Sequence, residues 1–297
     1  MTSRGRNDFK QFVCGSTSGA MPTILLYPLD LIRTRMQVNN TVYKSWVTPF
    51  CNTIKEIYTE RGIKTFYQGI TPSLIGSVAS WGCYFTFYEN AKTRYRKISH
   101  TENLNTFYNF LSATEAGIIG SVITAPIWVI KTRMQLQQKN LIPKEQQYKS
   151  FLDALIQIVQ KEGFKTLYCG LIPSLLLVSH GVLQLTTYEE CKRIGHHFNI
   201  TDNGKTGFIY GGISKAVASF LTYPLQVTRS RLQQFGAQSI YSGFINCLKT
   251  SFLKEGIRGL YSGFIPNILR TVPNSSITFM TYEFMVNLYD KMSSIKN

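Results

Sequence analysis

Apolar and polar positions alternate along this chain in long blocks rather than residue by residue. Three apolar stretches rich in small residues run up to a proline: FVCGSTSGAMPTILLY, FLSATEAGIIGSVITA and FIYGGISKAVASFLTY. Three more follow a YxG tripeptide: ITPSLIGSVASWGCYFTFY, LIPSLLLVSHGVLQLTTY and FIPNILRTVPNSSITFMTY. Each is about 16–20 residues long, near the length that crosses a bilayer as a helix. Each also carries polar residues, as a helix can when one face meets lipid and the other lines a water-filled interior. Gly15/Gly19 and Ala113/Gly117 place small residues four apart, which lets helices approach closely in lipid. Between the members of each pair lies a polar segment with amphipathic pattern. In FLDALIQIVQKEG, Phe151 to Gly163, apolar residues fall at 151, 152, 155, 156, 158 and 159, which predicts a short helix along a surface. The plainer alternative is a soluble helical repeat protein with buried amphipathic helices.

The blocks repeat. PLDLIRTRMQ (Pro28 to Gln37) returns as PIWVIKTRMQ (Pro126 to Gln135) and PLQVTRSRLQ (Pro224 to Gln233), with the prolines 98 residues apart. RGIKTFYQG, EGFKTLYCG and EGIRGLYSG form a second recurring element, and FYENAK, TYEECK and TYEFMV a third. The period exceeds that of solenoid repeats, so each unit holds several elements. The predicted fold is an all-α membrane protein with six transmembrane helices. They fall in three pseudo-threefold repeats, 1–99, 100–200 and 201–297, with short amphipathic helices on one side and both termini on the other.

Composition changes this picture little. The hydrophobic fraction of 44% is ordinary, and mean hydropathy is close to zero. The net charge of +16 points to an anionic partner: nucleic acid, an acidic membrane surface or a soluble anion. A nucleic-acid-binding protein would bury no arginine or lysine in apolar 18-residue stretches. No nucleophile–base pair, metal cluster or phosphate loop points to an enzyme. A basic peripheral anion-binding protein is the alternative from a different class. The six cysteines are scattered without metal-ligand spacing and read as reduced, mostly buried thiols. The basic N-terminus lacks the apolar core of a secretory signal.

Proline inside a membrane helix removes a hydrogen bond and bends the axis. Here it falls where the first helix of each repeat should turn inward. Two residues on stand Asp30, Trp128 and Gln226, and five residues on Arg33, Lys131 and Arg229. Three kinked helices around a pseudo-axis bring these six positions into one ring. Acid and base on neighbouring helices then close the floor of a cavity, firmly enough to exclude water and weakly enough to open.

On these motifs the chain resembles the mitochondrial carrier family over nearly its whole length. The family pattern is Px[DE]xx[KR]x[KR] followed by an EGxxxx-aromatic-x-G element, three times. The resemblance implies a carrier of the inner mitochondrial membrane that works by alternating access, with no cofactor or metal and as a monomer. It makes the proline ring a matrix gate, braced by Gln37, Gln135 and Gln233. It makes Tyr88, Glu89 and Lys92, Tyr188, Glu189 and Lys192, and Tyr282 and Glu283 a cytosolic gate, with Val286 where a base is usual. It implies cardiolipin at the YxG elements, where Gln68, Cys169 and Ser262 replace the usual base. If each acid position pairs with the base of the next repeat, as in the family, Asp30–Lys131 is an ion pair. Trp128 then lies against Arg229 as a cation–π contact, and Gln226 hydrogen-bonds Arg33.

Charges deep in a span are costly and therefore functional candidates: Glu115, His180, Lys215 and Arg270. Arg270 lies seven residues after Gly263, and the same count from Gly69 and Gly170 gives Gly76 and Leu177. By resemblance these are the mid-membrane substrate levels. Gly76, Leu177 with Val178, and Arg270 make a site that is roomy, apolar and cationic, suited to a large flat anion. The plainer role for Arg270 is a packing salt bridge, with Glu115 as partner. For His180 it is a hydrogen bond to a neighbouring helix, and for Trp81 ordinary packing rather than a stacking platform. The tryptophan of PIWVIKTRMQ, with SWGCYFTFYE, SHGVLQLTTYE and PNILRTVPNSSITFMTYE, resembles the FAD/folate carriers of that family. The tryptophan alone is shared with its pyrimidine-nucleotide and NAD carriers. The resemblance implies FAD or folate as substrate, its phosphate or carboxylate met by Arg270 and Lys215 and its ring stacked on Trp81.

Overall fold

A computed structural model describes residues 20–39, 48–99, 105–137, 147–198 and 204–295, and every regular element among them is a helix. Repeat 1 is helical over 20–25, turns at Leu26 and resumes as α1 (Tyr27–Val38), so the break falls just ahead of Pro28. It continues with α2 (Thr48–Arg61), a 3-10 turn (Gly62–Tyr67) and α3 (Ile70–Ser99). Repeat 2 holds α4 (Thr106–Leu136) with Pro126 inside it, α5 (Phe151–Glu162), a second 3-10 turn (Phe164–Tyr168), α6 (Leu171–Leu176) and α7 (Ser179–His197). Repeat 3 holds α8 (Gly204–Gln233) around Pro224, α9 (Ala237–Ile240), α10 (Phe244–Leu260) and α11 (Phe264–Ile295).

The second long helix of each repeat packs on the first of the next: α3 on α4, α7 on α8, and α11 back on α1. That cyclic order closes the three repeats around a pseudo-axis, and α1, α4 and α8 also touch pairwise. The amphipathic helices start and stop by local chemistry. Ser150 caps α5 by accepting from the Asp153 N–H at 3.2 Å, a Ser N-cap satisfying an orphan donor. The Lys149 N–H and the Gln157 amide hold the Asp153 carboxyl below the usual carboxylate range. Gly62 and Gly163, at positive φ, end the first two amphipathic helices, and Gly256, also at positive φ, kinks α10 at the matching position.

The apolar core is divided into three. Leu31, Ile32, Met36 and Ile57 join α1 to α2; Ile130, Ala154, Ile158 and Leu167 join α4 to α5; Ala237, Tyr241 and Cys247 pack beside Leu232. Burial pushes the Cys247 thiol up to about 11, so it is an inert apolar filler. It is also the one buried cysteine among those described, since Cys51 is exposed and Cys83, Cys169 and Cys191 are half-buried, against the expectation of mostly buried thiols.

The middle is polar and the outside apolar. Along α8, Phe208, Ile209, Ile213, Val217, Phe220 and Leu221 form one exposed face, while Ser214, Ala218 and Thr222 turn inward and are buried. A soluble protein seldom exposes such a face, whereas a bilayer solvates it. By composition alone, among the described residues, only Phe107–Leu136 and Phe164–His197 are long and apolar enough to cross a membrane. The other long helices fall short because their inner faces are polar.

Candidate functional site

The proline motif carries two bases, and they do different things. The second base of each repeat reaches its own amphipathic helix. Arg35 pairs with Glu60 through two nitrogens at 2.5 and 3.0 Å, Arg231 with Glu255 at 2.6 and 2.7 Å, and Arg133 grips both oxygens of Glu162. Such forks are the strongest hydrogen-bonded ion pairs. Each Nε then crosses to the next repeat, donating to the backbone carbonyl of Gln135, Gln233 or Gln37. These three arginines were not singled out from the sequence. The recurring acid before the EG turn was their signal, but repeat 1 hides it: Arg61 stands where Glu162 and Glu255 do, and Glu60 supplies the carboxylate one residue earlier.

The motif glutamines knit the same layer. Gln37 donates to the Tyr223 hydroxyl at 3.2 Å and accepts from Ser230 at 2.7 Å; Gln135 donates to Tyr27 at 3.1 Å; Gln233 accepts from Thr132 at 2.8 Å. Each thus reaches the preceding repeat. Gly69, Gly170 and Gly263, at positive φ, lie on Gln135, Gln233 and Gln37, where a Cβ would come within 2.9–3.4 Å of neighbouring atoms. Only glycine fits both that backbone and that approach. The residues before them cap carbonyls at the end of the next repeat's first helix. Gln68 donates to Met134 and Gln137 at 2.7 and 2.8 Å, and Ser262 to Met36 at 2.6 Å, while Cys169 lies 3.4 Å from the Gln238 amide.

One layer inward, the first bases face the pseudo-axis. Asp30 is held by Lys131 and by Arg270, each at 2.5 Å, and accepts from Gln135 at 3.2 Å. Arg33 donates to Gln226, and its guanidinium lies 5.8 Å from the Tyr223 ring. Arg229 sits over the Trp128 ring at 5.6 Å and Lys131 at 5.8 Å. The Trp128 N–H donates to Ser80 at 3.3 Å. Gly76 is buried under this indole: a Cβ there would come within 3.2 Å of Ile127 and 3.5 Å of Trp128. Gly76 therefore seats Trp128 rather than lining the space above it.

These groups floor a cavity of about 440 Å³. Asp30 is the one carboxylate among its described lining residues, against Arg33, Lys131, Arg229 and Arg270. Ser73 and Ser77 line the wall where Gly76 was expected, with Leu177 and His180 opposite. His180 Nδ1 lies 2.9 Å from the Thr222 hydroxyl, which donates to Ala218 O. That hydroxyl must accept from Nδ1–H. The backbone tightens at this level, with i→i+3 bonds from Val178 to Leu175 and from His180 to Leu177 separating α6 from α7. Val178 packs against Gly117 and lines the larger space above Trp128 rather than this cavity, and half-buried Lys215 is not among the lining residues. Trp81 is 63% exposed, with its ring centroid 5.7 Å from Phe85. Glu115 is bound by Arg94 and Tyr95, so Arg270 takes Asp30 instead.

At the opposite mouth, Glu89 pairs along its own helix with Lys92 at 3.7 Å. Lys92 also lies 5.1 Å from the Tyr88 ring. Tyr188 and Glu189 stand on α7 with Lys192, Glu189 being exposed. The side chains of Tyr282, Glu283 and Val286 lie outside the described residues.

Three segments of the chain, 6–99, 102–198 and 204–293, match the family model described as mitochondrial carrier protein. The chain is 39% identical over 95% of its length to a chloroplastic folate transporter from Arabidopsis thaliana, covering 96% of it. It is 36% identical over 93% to a mitochondrial nicotinamide adenine dinucleotide transporter from the same plant, covering 78% of it. A mitochondrial pyrimidine nucleotide transporter from Saccharomyces cerevisiae is 30% identical over 93% of the chain and is covered over 85%.

Proposed function

The chain belongs to the mitochondrial carrier family and is a solute transporter of that family, and we propose that its substrate is FAD or folate, carried across the mitochondrial inner membrane by alternating access. One observation carries the choice of a large aromatic anion: a single carboxylate faces four cations on a floor that includes an indole. An anionic group gains charge-assisted bonds there, and a ring finds an apolar wall. The 39% identity to a folate transporter supports this member of the family over the NAD and pyrimidine nucleotide relatives at 36% and 30%.

In this reading the proline ring is the matrix gate and the mouth beyond Glu89 is open to the cytosolic side. Arg270 couples substrate to gate. It holds Asp30, and an incoming phosphate or carboxylate competes for it, leaving Asp30 with Lys131 and Gln135. His180 meets the substrate from the cavity wall. Both termini face the intermembrane space, and cardiolipin binds near the YxG elements. The test is uptake of labelled FAD, folate, NAD and a pyrimidine nucleotide into liposomes holding the purified protein. Saturable uptake of FAD or folate is expected. Uptake of NAD or the pyrimidine nucleotide alone would overturn the choice.

A further inference from the structure

Tyr27 and Tyr223 stand just ahead of Pro28 and Pro224, and the matching position ahead of Pro126 is Ala125. Each tyrosine ties two repeats together. Tyr27 accepts from Gln135 of repeat 2 at 3.1 Å and donates to the Gln68 carbonyl of its own repeat at 2.9 Å. Tyr223 accepts from Gln37 of repeat 1 at 3.2 Å and donates to the Ser262 carbonyl at 3.1 Å. Ala125 has no hydroxyl, so the seam between repeats 2 and 3 lacks this bridge, and Thr132 donates to Gln233 there instead.

The same seam is the poorest in charge and in caps. Asp30 joins repeat 1 to repeat 2 through Lys131 and to repeat 3 through Arg270. Arg94 of α3 adds a second ion pair to the first seam, with Glu115 of α4. Among the described residues no ion pair joins repeat 2 to repeat 3; Trp128 stands in the acid's place and meets Arg229 with its ring face. Gln68 donates to two carbonyls of repeat 2 and Ser262 to one of repeat 1, whereas Cys169 offers the Gln238 amide a sulfur at 3.4 Å, a weak acceptor. The wall on the repeat 2 side is also broken. α6 and α7 part at Leu177–Val178, while α3, the counterpart at the first seam, is one helix from Ile70 to Ser99.

Tyrosine bridge, ion pair and carbonyl cap therefore single out one seam, by three different kinds of contact. A packed assembly opens first where it has the fewest directional contacts. We propose that the proline ring does not open as one: it parts first between repeats 2 and 3, while Asp30 keeps repeat 1 on both neighbours, and the way to the matrix runs past Cys169 and Gln238. The inference rests on the reading of this ring as the matrix gate and adds an order of events. The summed contacts set the cost of full opening, and the single seams set where it starts.

Cys169 is a native reporter for its seam, and Ser262→Cys places a thiol at the matching point between repeats 3 and 1. Both positions are half-buried, so static exposure favours neither. The measurement is the rate of alkylation by N-ethylmaleimide in the full-length purified protein, read peptide by peptide by mass spectrometry. Each rate is taken relative to the same thiol in the denatured chain.

In the Ser262→Cys protein, Cys169 is expected to react about tenfold faster than the introduced thiol, the order of one charge-assisted contact. Trp128→Asp adds a carboxylate beside Arg229 and should slow Cys169 more than the introduced thiol. Asp30→Asn keeps the shape, removes both ion pairs of repeat 1 and should speed the introduced thiol more than Cys169. Equal rates at the two thiols before any further change would overturn the order, as would equal shifts at both from either variant. Rates that neither variant moves would overturn the gate reading itself, and the order with it. Should a variant fail to fold, the comparison within the Ser262→Cys protein decides.

Discussion

Arg35, Arg133 and Arg231 make three copies of one contact, while Arg33, Lys131 and Arg229, two residues upstream, make three different ones. The outer set forks onto a carboxylate of its own repeat and reaches a backbone carbonyl of the next. The inner set meets an amide, a carboxylate and an indole in turn. The outer contacts hold each amphipathic helix in place, and the guanidinium of Arg231 is fully buried, so water cannot replace Glu255 there. On the alternating-access reading the inner contacts must break in every cycle, so what matters there is their summed strength rather than their identity.

The largest effect should come from the outer set. Arg231→Ala leaves Glu255 buried without its partner, and breaking such a pair costs roughly 3–5 kcal/mol. A thermal melt in detergent should show a loss well above that of Arg229→Ala; equal losses would erase the distinction between the layers. Arg270→Ala is expected to act next, on transport rather than folding. If Arg270 binds the substrate as proposed, the change removes a charged hydrogen bond worth about 1.5–3 kcal/mol, so uptake should fall about tenfold or more while the protein still reaches the membrane. Lys215→Ala, at a residue that does not line the cavity, should be milder.

The inner ring can also be made more like its full-acid form. A cation–π contact is worth about 0.5–2 kcal/mol, less than a desolvated ion pair. Trp128→Asp with Gln226→Glu would place carboxylates beside Arg229 and Arg33 and strengthen closure. Net uptake into empty liposomes should then drop more than exchange into preloaded ones; an equal drop would mean the missing acids do not set the mode of transport. The smallest effect concerns the seam between repeats 2 and 3. Cys169→Gln would supply the cap that Gln68 gives at the first seam, and one added hydrogen bond should raise stability by about 0.5–1.5 kcal/mol. An unchanged melt would show that this seam is already satisfied.

Much of the inner ring was legible because the chain writes its motif three times. With the repeats in cyclic order, the pairing that the family resemblance implies, each acid position with the base of the next repeat, gives Asp30 to Lys131, Gln226 to Arg33 and Trp128 to Arg229, as found. The partner of Arg270 was not legible. Counting along the sixth helix gives its level but not its reach, and Asp30 outcompetes Glu115 because Arg94 and Tyr95 already hold the latter. Nor was the service of Gly76, since an absent side chain says nothing about which ring will lie on it.

By itself the sequence determined the helical elements, their threefold order and the residues turned to the axis, because periodicity and capping are local and a repeat multiplies the signal. Only the tertiary structure decided that Glu60 rather than its neighbour meets Arg35, that two cations share Asp30, and that Trp128 divides the interior into a charged chamber and an aromatic one. Each depends on where side chains from different repeats end in space. A shift of one residue or one rotamer moves a charged tip by several ångströms, which is the whole range over which an ion pair at the cavity floor is made or lost.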